Sequence, residues 1–473
     1  MPVLFIFFPL FAVVLLNLPV KETGKRIALW SGLTVCVIQM AMAAVFGSLA
    51  WRQVDNAIAV RIVTSFSIDF FSAVVLFTIG LVAFISLIVA RYSSCPDRFS
   101  FINLILLAMM GMNGVAMVTD LFTLYIFLEI TAVASFILIA LDKLREGLEG
   151  AFKYFVMSAV ASIFMLSAIA FVFMLTGETG FKEIGRYISG LNGAYPFQLI
   201  LAFILFTTGL SIKAGLVPFH GWVPDAYSSA PSAVSTLLAG IVTKVAGVYT
   251  LMRLFKDVFG NVKVIGNTLI VLGLVSIVIG ALAAIGQNDF KRILAYSSIS
   301  QVGYIILGAG LGTPLGFTGA LLHFFNHSTF KSLLFVDSTA VELQTGTRDM
   351  KKLGGLASRM PVTGGTSIVG FLSTAGIPPL SGFWSKFLII VAAWKAASYV
   401  SAAVALLASI LTLAYFLILQ RNMFFGKVAG NVEGVTECNR GITGAALLLS
   451  AITLATGLLF PIVLVFLQAQ GLI

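Results

Sequence analysis

Apolar runs of about twenty residues alternate with short polar connections along almost the whole chain. A helix rises 1.5 Å per residue, so a run of that length crosses the roughly 30 Å hydrocarbon core of a bilayer. On that ruler the pattern predicts fourteen helices: 2–18, 27–50, 69–90, 99–118, 120–141, 152–175, 197–217, 232–252, 264–286, 292–312, 315–340, 362–390 (interrupted), 399–420 and 441–469. The longest polar connections, 51–68, 177–196 and 341–361, leave no room for a second domain. The expected fold is a single all-α polytopic membrane domain. Its first run, Pro2 to Leu18, has neither a basic n-region nor a small-residue cleavage site, and is read as a retained helix.

Two of the runs are broken by proline in similar wording. Gly209-Leu-Ser-Ile-Lys-Ala-Gly-Leu-Val-Pro-Phe-His-Gly221 aligns without gaps on Gly370-Phe-Leu-Ser-Thr-Ala-Gly-Ile-Pro-Pro-Leu-Ser-Gly382, with five identities that include Gly215/Gly376 and Pro218/Pro379. An unwound turn at membrane depth survives only where it is buried or lines a hydrated cavity. Paired breaks in two halves of a chain are a mark of internally repeated transporters. Pro218, Pro378 and Pro379 are therefore the expected helix breaks, and charged residues, Lys213 and Lys386, stand beside them.

Composition narrows the class. Hydrophobic residues make up 59% of the 473 positions, charged residues 10%, and mean hydropathy is +1.05, where a soluble domain carries roughly 25% charged residues. The net charge of +10 does not indicate nucleic acid, because the basic residues fall in short turns between apolar runs. Cys36, Cys95 and Cys438 are isolated, with no CxxC or Cys/His spacing, so no iron–sulfur cluster, zinc site or other cofactor is expected and electrons are not expected to pass through this chain. Seventeen Lys and Arg lie in connections 1–2, 3–4, 5–6, 9–10, 11–12 and 13–14, against eight on the opposite side. By the positive-inside rule the seventeen face the cytoplasm, which places both termini outside a prokaryotic cell membrane.

The remaining four of the 29 basic residues, Lys213, Lys244, Lys331 and Lys386, lie inside apolar runs, as does Glu129. A charge at bilayer depth costs about 2.5–3.5 kcal/mol or more, so intramembrane ionisable groups read as a proton or ion path. All four cations are lysine, and a desolvated lysine can release a proton whereas arginine effectively cannot. Lys244, mid-run with no charge in sequence reach, is the strongest single candidate. His323, His327 and Lys331 are spaced i, i+4, i+8, which keeps them within an arc of about 80° on a helix and suggests a relay. A metal site there is weak, since two histidines without a further ligand seldom suffice. His220 reads as a hydrogen-bonded loop histidine at the broken turn. Asp337, six residues from Lys331, points to another helix face, toward a neighbouring helix or subunit or into the path. Asp69, Asp120 and Asp225 sit at run ends, where capping or solvated roles suffice.

Lys213 to Ala226, Ala230-Pro-Ser232, Asp289-Phe-Lys-Arg-Ile-Leu-Ala-Tyr-Ser-Ser-Ile-Ser-Gln-Val-Gly303, His323 to Leu334 and Gly376 to Lys386 together resemble the antiporter-like subunits of respiratory complex I, Mrp cation/proton antiporters (D-type) and group 4 membrane-bound hydrogenases. The resemblance covers about residues 100–425. It implies fourteen helices: N-terminal helices 1–3 in 1–98, an inverted five-helix repeat in 99–255 (helices 4–8), a second in 262–425 (helices 9–13), and helix 14 in 441–473. Helices 7 and 12 would be discontinuous. By the same resemblance Glu129 pairs with Lys213, Lys244 is the lysine of helix 8, His323, His327 and Lys331 are the helix 11 positions, and Lys386 is the basic residue of helix 12. Three departures stand out. Some family members have glutamate at the position of Lys386, the long C-terminal lateral helix of the distal complex I subunit is not found up to Ile473, and Asp337 stands where a small or apolar residue is expected. The wording around Asn326 to Lys331 is nearer to hydrogenase-associated and Mrp D-type members.

These readings lead to a proton-translocating, non-redox subunit of a larger redox or antiporter complex, with other membrane subunits and the lipid bilayer as partners. Two other classes are a Mrp-type Na⁺/H⁺ antiporter subunit or stand-alone secondary transporter, for which few clustered Asn/Gln donors are seen, and a passive scaffold that would tolerate loss of the lysines.

Overall fold

The computed structural model describes residues 2–18, 21–52, 66–93, 95, 97–260 and 262–469. Most of the expected 51–68 connection, with Arg61, and residues 470–473 lie outside the described residues. The described chain is almost entirely helical. Its helices are α1 (Leu4–Leu16), α2 (Lys21–Arg52), α3 (Phe70–Tyr92), α4 (Arg98–Met117), α5 (Leu121–Ile139), α6 (Arg145–Thr176), α7 (Phe181–Gly190), α8 (Phe197–Ala214) and α9 (Trp222–Ser229). After these come α10 (Ser232–Val258), α11 (Lys263–Ile285), α12 (Phe290–Gly310), α13 (Pro314–Thr345), α14 (Pro361–Ala375), α15 (Ser381–Lys395), α16 (Tyr399–Met423) and α17 (Arg440–Ala469). Among the described residues eleven helices are long and apolar enough to cross a membrane, and α1 is a shorter apolar helix.

Local chemistry starts these helices where the chain turns. Asp69, Asp120 and Asp289 accept backbone N–H groups of Ser72, Thr123 and Arg292 at 2.8–2.9 Å, capping α3, α5 and α12 as short polar side chains do at an exposed first turn. Asp69 also takes a two-pronged bond from Arg253 of α10, at 2.6 and 2.7 Å. Burial would push its carboxyl up, but the guanidinium and the Ser72 donors hold it well below the usual carboxylate range. Asp225 does not cap. It bridges Lys153 of α6 (2.7 Å) and Arg292 of α12 (2.9 Å).

The centre of the molecule is built from α10, α12 and α13. The apolar windows of α10 and α12 are 100% and 94% buried, whereas those of α6, α11 and α16 are only 39% buried and turn apolar side chains outward. α11 lies close on α12 because a Cβ on Gly273 would meet the Gly303 carbonyl at 2.8 Å; small residues let transmembrane backbones approach this way. Two features were not expected from the sequence. The connection after α6 holds the amphipathic α7, which buries Phe181, Ile184 and Ile188, and α10 is wound largely as π-helix over Leu238–Val242, Lys244–Tyr249 and Leu254–Val258.

Both expected breaks are present. α8 ends at Gly215 (φ +68°) and α14 ends at Gly376 (φ +86°), the two glycines aligned in the sequence, each closing its helix in the left-handed conformation glycine tolerates. Proline follows in each case, with cis Val217–Pro218 and Pro378–Pro379 peptides, and the chain resumes as α9 and α15.

Candidate functional site

The break between α14 and α15 explains how Lys386 is held. The last carbonyls of a helix have no intrahelical partner and carry the negative end of its dipole. Lys386, five residues into α15, turns back so that Nζ donates to the Thr374 carbonyl at 2.8 Å and lies 3.5 Å from that of Ala375. The ammonium also lies 4.6 Å from the centre of the Tyr304 ring, a cation–π arrangement. The Tyr304 hydroxyl is fixed by the Ala405 carbonyl at 2.6 Å.

Lys213, at the other break, is held differently. Its Nζ is 3.4 Å from Glu129 Oε1 on α5 and donates to Ser158 (3.2 Å) and Ser162 (3.4 Å) on α6, while Ser162 itself donates a short hydrogen bond to Glu129. The structure thus brings Glu129 and Lys213 together and adds two serines that sequence reasoning missed. The lysine side chain is 4% exposed and the glutamate 33%.

Lys244 stands between these two sites. Its ammonium donates to the carbonyls of Ala239 and Gly240 (2.8 Å to the latter), in the stretch where π winding displaces the backbone from the α ladder. Among the described residues it has no carboxylate partner. Gly247, almost one turn on, packs directly on Ala214, so Lys244 is one helix contact from Lys213. On its other side a cavity of ≈ 10 Å³ lies among Lys244, Thr243, Tyr227, Ser298 and His327, about the room one water needs.

That cavity joins Lys244 to the histidines of α13. The His327 and His323 rings lie parallel, 6.1 Å apart, and His323 Nδ1 is 2.8 Å from Ser385 Oγ on α15, the residue next to Lys386. Lys331 departs from the expected stripe. Its side chain reaches α12, where Nζ donates to the Leu294 carbonyl (3.1 Å) and to Ser297 (2.8 Å). Tyr415 donates to the same Ser297 at 2.9 Å. Several buried polar atoms have no hydrogen-bond partner here, including both nitrogens of His327, His323 Nε2 and both amide atoms of Gln301. Among the described residues no group of His, Cys, Asp and Glu could hold a metal ion.

Two residues fall outside this row. Asp337 accepts hydrogen bonds from Thr366 (2.8 Å) and Ser367 (3.1 Å) on α14, a contact with a neighbouring helix rather than with Lys331. His220 lies at the first break with its ring edge-on to Tyr296. Its Nδ1 is buried without a hydrogen-bond partner, while the ring also interacts with the Pro218 backbone of the same turn.

Comparison with known proteins decides the family. The family model described as "NADH:quinone oxidoreductase/Mrp antiporter, TM" matches residues 118–412, more than half of the chain and all of the row from Glu129 to Lys386. The chain belongs to this family. It is 35% identical over 323 residues to the N subunit of NADH-quinone oxidoreductase from Desulforudis audaxviator, a match covering 68% of this chain and 64% of that protein. It is 34% identical over 348 residues to the D-type subunit of the Na(+)/H(+) antiporter from Alkalihalophilus pseudofirmus, covering 73% and 70%. The fold matches a chain of the Mrp complex from Dietzia sp. DQ12-45-1b with a TM-score of 0.87 at 26% identity, over 98% of this chain and 96% of that one. Identity is nearly equal to the NADH-quinone oxidoreductase relative and to the antiporter relative.

Proposed function

We propose that this chain is a proton-translocating, antiporter-like subunit of a multisubunit membrane complex of the redox or antiporter type. The observation that carries this reading is the row of buried ionisable groups at the level of the two helix breaks: Glu129 and Lys213, then Lys244, His327 and His323, then Lys386, with Lys331 beside it. Glu129 contacts Lys213 directly, Gly247 of the Lys244 helix packs on Ala214 beside Lys213, the small cavity joins Lys244 to His327, the His327 and His323 rings lie parallel, and His323 bonds Ser385 next to Lys386. Buried lysines hold carbonyls and hydroxyls most strongly as ammonium groups, so loss of a proton removes one donor and the charge assistance and loosens the amine. Repulsion between successive ammonium groups couples one protonation to the next.

We read the fold as fourteen crossings, with 1–98 and 441–473 flanking two inverted units, 99–255 and 262–425. The basic-rich connections face the cytoplasm and the termini face outward. Other membrane subunits are the partners. Glu129 supports this, because it is one-third exposed on a face of α5 that otherwise presents Phe122, Ile126 and Val133, all 43–51% exposed. Although Lys213 and Ser162 hold one of its oxygens, a carboxylate one-third exposed on such a face is costly against lipid, and a covering subunit relieves that cost. We read the driving reaction as lying in another subunit, because the three cysteines stand isolated in the sequence with no CxxC or Cys/His spacing.

The test is Lys244→Met in the intact complex, purified and reconstituted in vesicles. Assembly should be normal while proton uptake falls roughly a hundredfold or to the detection limit, in keeping with loss of a positioned proton carrier. Normal pumping by the assembled variant would rule out Lys244 as an obligatory carrier. The second reading, an Mrp-type Na⁺/H⁺ antiporter subunit, is favoured by the Alkalihalophilus pseudofirmus antiporter relative. Sodium-driven acidification or alkalinisation of the same vesicles separates the two.

A further inference from the structure

The mouth that feeds the central row is a site the row itself does not contain. At the end of the molecule where α12 begins and α13 ends, Lys291 Nζ of α12 lies 2.8 Å from Glu342 Oε2 of α13. Ser232, the first residue of α10, bridges them: it accepts from Lys291 at 3.2 Å and donates to Glu342 at 3.3 Å. Exposure is split between the partners. The Glu342 side chain is 32% exposed, whereas that of Lys291 is 2% exposed, so the carboxylate meets water and the ammonium faces the interior. The other charges facing the pair are Arg348, 3.6 Å from Glu342, and Asp289, which Arg348 also contacts at 3.3 Å.

The helices then lead inward. Leu294, less than one turn from Lys291 along α12, gives its carbonyl to Lys331, and Ser297, six residues and about 9 Å from Lys291, gives its hydroxyl. On α13, Ser338 lies one turn from Glu342 with its hydroxyl buried and unpartnered. One residue past Ser297, Ser298 lines the cavity shared by Lys244 and His327. A pair meant only to staple the helices gains nothing from a cation buried at the head of a polar stripe, because a buried ion pair is weak evidence of stabilisation.

We propose that Glu342, Lys291 and Ser232 form the aqueous port through which protons reach Lys331 and the central cavity. This rests on the proton-translocation reading above. In the transfer, the Lys291 ammonium gives one proton inward, by way of the α12 hydroxyls, to the Lys331 amine. Lys291 becomes a neutral amine and Lys331 an ammonium. The Glu342 carboxylate then takes a proton from water on the aqueous side and hands it to Lys291, restoring the ion pair. One proton leaves the aqueous phase and one arrives at Lys331.

Lys291→Arg decides the matter, since arginine keeps the charge and the pairing with Glu342 but does not release its proton. In the purified complex in vesicles, this variant should assemble as wild type and pump at least about tenfold more slowly, the scale on which a lost proton donor acts. Glu342→Gln, which keeps a group able to bond Ser232, should slow uptake to a similar degree and serves as the test if the arginine variant does not assemble. Wild-type pumping by either assembled variant overturns the port. Lys244→Met measured in parallel separates the two claims: if it is dead while Lys291→Arg pumps normally, only the port is wrong. If Lys244→Met also pumps normally, the proton-translocation reading falls with it.

Discussion

Three intramembrane lysines are stabilised in three ways, and the differences set what each substitution should do. Lys213 has a carboxylate within 3.4 Å, Lys244 has only carbonyls of its own π-wound helix, and Lys386 has the free carbonyls of a helix end with an aromatic face. Removing one member of a buried ion pair leaves the other charge uncompensated at roughly 3–5 kcal/mol unless it changes protonation. Glu129→Gln and Lys213→Met should each therefore impair pumping on their own. Because the two share Ser162 as well as each other, the double variant should be little worse than either single one. Losses in log pumping rate that simply add would show that the residues act independently. Tyr304→Leu tests the third arrangement. It removes the ring under the Lys386 ammonium and the bond to Ala405, and should weaken pumping less than Lys386→Met does in the same vesicle assay. Equal losses would make the ring as necessary as the ammonium it supports.

Helix breaks are where sequence and structure agree most closely, and the reason is local. A glycine that must take φ near +70° followed by proline ends a helix whatever surrounds it, so Gly215-Leu-Val-Pro218 and Gly376-Ile-Pro-Pro379 announce their breaks. The α8 break is also tightly packed, since a Cβ on Gly215 would fall 2.4 Å from Val223 Cγ2. Gly215→Val should thus destabilise the subunit by roughly 1–3 kcal/mol or more from overpacking, with backbone strain added. The expected result is a lower yield of assembled complex on native gels; wild-type yield and thermal stability would show that the break tolerates a side chain. Charged residues in apolar runs were equally legible, because their cost at depth leaves few structural reasons for them. What the sequence did not reveal depends on tertiary contact. Ser158 and Ser162 look like ordinary small residues of a packed helix until α5 and α8 bring Glu129 and Lys213 beside them. The turn of Lys331 toward Ser297 likewise depends on where α12 lies, which i, i+4, i+8 spacing on α13 alone cannot tell. π winding in α10 carries no sequence mark at all.

At the scale of the molecule the charged side chains that lie outside the apolar runs divide into two ends. One end holds the network of Lys153, Asp225, Arg292, Lys291, Glu342, Arg348 and Asp289, which ties α6, α9, α12 and α13 together. The other holds Asp69, Arg253 and Asp257, which tie α3 to the far end of α10. Of the seventeen basic residues counted in the odd-to-even connections, Lys153, Lys291, Arg292 and Arg348 belong to the first network, and Arg253, one of the eight on the opposite side, belongs to the second. Positive charge close to apolar segments favours retention on the cytoplasmic side. The networked end is therefore expected to be cytoplasmic, with the proposed port of Lys291 and Glu342 opening there and both termini outside. A reporter active only in the cytoplasm, fused within Arg348 to Arg359, should be active, and a reporter active only outside, fused at the same place, should be silent. A tag placed before Leu4 should be reached by an impermeant reagent in intact cells. The reverse pattern at both sites would invert the molecule and turn the Lys291 port into an exit, which makes the topology the measurement that fixes the direction of every proton step proposed for this chain.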